Sequence, residues 1–65
     1  PSEKNLIGKT GIAHTTLRPG GTAVIDGRRV DVVADSEYID KDVKIIVLRV
    51  EGIKVVVTAV KENLS

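Results

Sequence analysis

The 65-residue chain contains no cysteine, methionine, tryptophan or phenylalanine, and it has a single histidine and a single tyrosine. Each shortage removes a class of answer. Without cysteine there is no disulfide framework, and one histidine cannot build a zinc site. A domain this small must therefore fold on aliphatic packing or lean on a partner. With Tyr38 as its one aromatic residue, the chain lacks the row of rings on which single-strand binders stack bases. The formal charge is +1 at neutral pH, short of the basic excess of a dedicated nucleic-acid binder. No apolar run approaches the ~20 residues of a membrane-crossing helix, and no signal peptide is visible. The sequence starts at Pro1 rather than Met, which reads as a piece excised from a longer protein.

What is present is valine and isoleucine. Hydrophobic residues make up 42% of the chain and aromatics only 2%, so the core is aliphatic and largely β-branched, the chemistry of a pleated surface. Abundant Val, Ile, Lys and Glu, with no Gln, Met or Cys, is compatible with a thermophilic source.

Turn signals divide the chain. The spacing predicts a first strand over about Lys9–Leu17, bent near Gly11. "RPGG" follows, with Pro19 presetting φ and Gly20 or Gly21 free to adopt a positive one. "TAVI" is a short second strand, and "DG" at Asp26–Gly27 signals a type I′ hairpin into "RRVDVVA", the third strand. Asp35–Asp42 reads as a connection with at most one helical turn, from which Tyr38 and Ile39 dip back to plug the core. "VKIIVLRV", Val43–Val50, is apolar on both faces, which requires burial on both sides or a bulge that switches faces. "EG" at Glu51–Gly52 turns into "IKVVVTAV", and polar segments flank an ordered core of about residues 6–60.

Five strands, two tight hairpins and almost no helix would leave a flat sheet with an exposed valine-rich face. Closure into a small barrel solves that problem. OB-fold and SH3-like barrels both have strands of this length. The long glycine-bent first strand, the meander through the third and the connection before a final hairpin fit the all-β, five-stranded OB-fold barrel better.

No catalytic constellation emerges. His14 stands between Ala13 and Thr15, with Thr16 two residues away; a catalytic role would need a nucleophile or carboxylate held beside it, and it reads as an ordinary strand histidine. None of the serines lies in a G-x-S-x-G elbow. The acidic run Asp35, Glu37, Asp40, Asp42 lacks the mid-loop glycine and flanking helices of a calcium loop. "GKTG" lacks the upstream glycine and following helix of a phosphate loop. The hairpin tips hold no lysine, unlike lipoyl or biotinyl carriers. Catalytic, metal and cofactor sites are therefore all expected to be absent. Arg18, Arg28 and Arg29 cluster at the turns, with Lys9 nearby, but Asp26 and Asp31 are interspersed. They read first as charged edges that discourage strand pairing, and second as phosphate contacts for a single-stranded nucleic acid.

The runs "LIGKTGIA", "LRPGGTAVIDGRRVDVV", "YIDKDVKIIVLRVEG" and "VVV" together resemble the C-terminal domain of the NfeD family, the stomatin operon partner proteins, over Leu6 to about Val60. One departure is "DKDV", where family members often carry glycine ahead of the V-x-V strand. The resemblance implies an OB-fold barrel and a parent membrane protein with transmembrane helices ahead of this domain. It also implies a serine protease domain in longer members, which is absent from these residues. On this basis the chain is expected to be a non-enzymatic, membrane-anchored module on the cytoplasmic side. It would bind a stomatin-, prohibitin- or flotillin-type scaffold or its own parent's transmembrane part, with weak self-association conceivable. Arg18, Arg28, Arg29 and Tyr38 are the candidate contacts for a protein partner. Single-stranded nucleic-acid binding is the alternative.

Overall fold

The computed structural model describes residues 6–35 and 38–60. Two hairpins organise it. β2 (Gly20–Ile25) and β3 (Arg28–Ala34) pair antiparallel from Ile25↔Arg28 to Gly20↔Val33. They are joined at Asp26 and Gly27, both at positive φ (58° and 79°), the type I′ geometry whose twist matches the strands it links. β4 (Lys44–Glu51) and β5 (Lys54–Ala59) form the second hairpin. Its turn is Gly52–Ile53 rather than Glu51–Gly52, because Glu51 still pairs with Lys54, and only Gly52 has positive φ (64°). β1 (Thr10–Ala13) pairs with both β2 and β4, and β3 runs parallel to β5. The ring β1-β2-β3-β5-β4 closes on itself, which is the OB-fold connectivity the turn pattern implies.

Strand alternation fills the barrel. Ala13, Ala23, Ile25, Val32, Ala34, Ile45, Val47, Val55 and Val57 point inward and are buried. No polar or charged side chain is buried among the described residues. The two-faced strand β4 is resolved by a bulge. Val47 pairs with Val57 but Arg49 with Val56, leaving Leu48 as the extra residue, and a bulge of this kind re-aims the side chains beyond it. Val56 is only 4% exposed although it lies outside the core cluster, on the outer face beside Arg49. Arg49 reaches from β4 to Asp35 at the end of β3 (Nη2 to Oδ1, 3.2 Å), and its Nε donates to Glu51. That reach passes over β5, so the aliphatic stem roofs Val56.

Gly11 sits where β1 meets Ile25 of β2 and Ile45 of β4 at once. A β-carbon there would run into the Val24 carbonyl and come within 2.7 Å of Ile25 Cγ1. The glycine is needed for close approach of three strands.

Other expectations are corrected. β1 ends at Ala13 rather than Leu17, and Leu17 instead forms an isolated antiparallel bridge with Ile39. In "RPGG" neither glycine has positive φ; the Arg18–Pro19 peptide is cis and Gly20 already opens β2. Of the two residues expected to plug the core, Ile39 does so (6% exposed), whereas Tyr38 is 56% exposed. Neighbours on an extended segment point opposite ways, so only one can enter. The connection before β4 ends in a β-turn, with the Val43 N–H donating to the Asp40 carbonyl (3.3 Å), and Asp42 adopts φ 72°. Here an aspartate occupies a left-handed position, which glycine adopts without the steric cost of a β-carbon. Asp42→Gly is expected to stabilise the chain by roughly 0.5–1 kcal/mol by removing that backbone cost. Urea unfolding measures it, and a loss of stability would contradict the reading.

The barrel's ends are unlike. The Asp26–Gly27 and Gly52–Ile53 turns and the incoming segment Leu6–Lys9 share one end, tied by the Lys9–Asp26 ion pair (3.2 Å). The links at 14–19 and 38–43 share the other.

Candidate functional site

With an all-aliphatic interior, chemistry is confined to the surface, and no metal-binding cluster occurs among the described residues. His14 is exposed in a bend, its N–H donating to the Thr22 carbonyl at 2.9 Å. The outer face of β2 and β3 presents Thr22, Val24, Arg29, Asp31 and Val33. That face carries no aromatic ring on which a base could stack.

The four candidate contacts divide between the two ends. Arg28 and Arg29 open β3 beside the Asp26–Gly27 turn, both exposed. Arg18 and Tyr38 come together at the loop end, twenty residues apart in sequence. The Leu17–Ile39 bridge brings them there. Leu17 N–H donates to the Ile39 carbonyl (2.8 Å) and Ile39 N–H to the Leu17 carbonyl (3.0 Å), and both side chains are buried. With Leu17 and Ile39 committed inward, the adjoining Arg18 and Tyr38 must face out. Arg18 Cζ lies 5.7 Å from the centre of the Tyr38 ring, within the range of a cation–π contact.

Local packing holds this pair in place. The link 14–19 folds onto Gly21, where a β-carbon would approach Leu17 Cδ2 to 2.5 Å and Thr15 Oγ1 to 2.7 Å. The Thr15 hydroxyl accepts from the Thr22 N–H (3.1 Å), and the Pro19 carbonyl accepts from the Ala34 N–H (2.7 Å). Both stitch the link to the barrel. The sequence singles out Arg18 and Tyr38 as candidates but not Asp40, which the fold sets beside the ring. As a hydrogen-bond acceptor and as a negative charge, its carboxylate raises the Tyr38 hydroxyl above its ordinary pKa, partly opposed by Arg18. Tyr38 is the chain's sole tyrosine, so its near-UV titration is unambiguous. Its midpoint is expected above 10.0, lowered by Asp40→Asn and raised further by Arg18→Ala. An unchanged midpoint in the Asp40 variant would separate Asp40 from the ring. The arrangement is an exposed Arg–Tyr–Asp surface, and its arginine and tyrosine are of the types that anchor protein interfaces.

Residues 3–58 match the family model described as "NfeD-like C-terminal, partner-binding domain". The chain belongs to the NfeD family. It is 49% identical over 53 residues to membrane protein NfeD1b of Bacillus subtilis (strain 168), an alignment covering 82% of this chain and 12% of that protein. The chain thus spans about an eighth of the relative's length. The NfeD fold itself is seen in the C-terminal domain of stomatin operon partner protein 1510-C from Pyrococcus horikoshii. The two superpose with a TM-score of 0.86 at 21% identity, over 94% of this chain and 97% of the other. Among the described residues of the NfeD domain no helix is long and apolar enough to cross a membrane.

Proposed function

We propose that this NfeD domain is a non-enzymatic docking module of a membrane-anchored protein. In this reading it works on the cytoplasmic side and engages a stomatin-type scaffold through its loop end. The observation that carries the proposal is the Arg18–Tyr38 pair, held outward by the Leu17–Ile39 bridge and flanked by Asp40. Two features support it. The family's domain is described as partner-binding, and a fold relative is named as a stomatin operon partner. Tyrosine and arginine are over-represented among residues that dominate binding energy, and a prepositioned pair loses less conformational freedom on association.

The test is calorimetric titration of the chain with the soluble part of the stomatin-type protein from the same source. Tyr38→Ala is expected to weaken binding by about tenfold or more, the scale of a truncated interface anchor. Arg28→Ala/Arg29→Ala is expected to leave binding nearly unchanged. Binding that is indifferent to Tyr38 and Arg18 would overturn the assignment of the site.

A further inference from the structure

The opposite end of the barrel carries a different surface. Ile53, at the tip of the β4–β5 turn, is 92% exposed. Continuing the parallel β3–β5 register of Val32↔Val55 backward sets Val30 level with Ile53 and Arg29 level with Gly52. The two hairpin tips therefore stand side by side. Arg28 and Arg29 lie on one and Lys54 flanks the other, all exposed. Neither arginine has a hydrogen-bonding or ionic partner among the described residues. Of the nearby acids, Asp26 is engaged by Lys9 and Glu51 by Arg49, while Asp31 lies on the outer face of β3 beside Arg29 and level with Lys54. Ile7 (54% exposed) and Leu48 (40% exposed) add apolar surface on the same side. They lie next to each other in the ladder, because the Gly8 N–H donates to the Val47 carbonyl and the Val47 N–H to the Lys9 carbonyl.

An exposed aliphatic tip flanked by more cations than acids is complementary to an anionic surface with an apolar layer beneath it. We infer that this end rests on an anionic lipid bilayer. Ile53 enters the headgroup–acyl boundary, while Arg28, Arg29 and Lys54 meet lipid phosphates. Apolar insertion and attraction to anionic headgroups add in this geometry, as they do for interfacial helices. A base-stacking ligand would need aromatic rings, and none lies among these residues. The inference rests on the membrane-anchored reading only for its setting. It gives that reading an orientation, with the Arg18–Tyr38 end directed away from the bilayer.

Flotation of the chain with vesicles tests it. Vesicles of phosphatidylcholine alone are compared with equimolar phosphatidylcholine and phosphatidylglycerol, at low salt. The chain is expected to float with the anionic vesicles and to stay behind with the neutral ones. Arg28→Ala and Arg29→Ala should each lower partitioning about fivefold, the order contributed by one cation near an anionic surface. Ile53→Ser should lower it by about tenfold, the order of withdrawing one aliphatic side chain. All three positions are exposed, and circular dichroism confirms that the variants fold. Equal flotation with both vesicle types, or with neither, overturns the inference. So does a loss caused by Tyr38→Ala, which would place the contact at the other end. Calorimetry with the protein partner is read separately, so failure of either proposal is distinguishable from failure of the other.

Discussion

Gly11→Ala is expected to destabilise the chain by about 3 kcal/mol, the upper end of the usual range for overpacking a close contact. The obstacle decides the size of the effect. An alanine β-carbon at this position would meet a strand carbonyl, that of Val24, and the stem of buried Ile25. Neither is the free end of a flexible side chain that can swing aside. β1 also closes the barrel, pairing with β2 and β4 through the same residue, so relief on one side strains the other. Gly20→Ala is the control. A β-carbon there has nothing within 4 Å and its φ is not positive, so little change is expected. Urea unfolding of both variants reads the difference. Equal stabilities would mean that the strands at Gly11 can separate without cost.

Leu17→Ala carries the second large effect, about 3 kcal/mol, within the range for deleting a fully buried leucine side chain. Leu17 is completely buried although it belongs to no strand. It lies over Gly21 and pairs with Ile39, so its side chain is the plug that seats both links on the barrel. Loss of the plug should also loosen the outward-facing pair. Besides the drop in stability seen in urea, the Tyr38 titration midpoint should move back toward its ordinary value as Asp40 is freed from the ring. A stability loss with an unmoved Tyr38 midpoint would show that the cluster does not depend on the bridge.

The two effects mark what the sequence reveals and what it hides. The Asp26–Gly27 hairpin is legible because two-residue loops of this kind demand positive φ at both positions, and Asp-Gly supplies it. β3 runs over the expected Arg28–Ala34. The two-faced apolar pattern of β4 already implied a bulge, found between Val47 and Arg49. Less legible is whatever depends on a contact between distant segments. "RPGG" looks like a turn that uses glycine's conformational freedom, yet Gly21 is there for space, because Leu17 packs where its side chain would be. The Tyr38–Ile39 pair looked like a joint plug, and only the bridge to Leu17 decides which of the two faces inward. The Arg18–Tyr38 contact follows from that same bridge across twenty-two residues of chain, and local pattern holds no signal for it. Asp42 shows the reverse case. Its place in a polar connection is visible in the sequence, but the cost it carries appears only with the backbone angle of 72°.

The proposed docking of a protein partner at the loop end of the barrel makes a residue-level prediction. Backbone amide chemical shifts of the isotopically labelled chain, followed while the stomatin-type protein is added, test it most directly. The largest changes are expected on Leu17, Arg18, Gly20 and residues 38–40, with the two hairpin tips little affected. Changes concentrated on the outer face of β2 and β3, or on Arg28, Arg29 and Ile53, with Arg18 and Tyr38 unmoved, would contradict it.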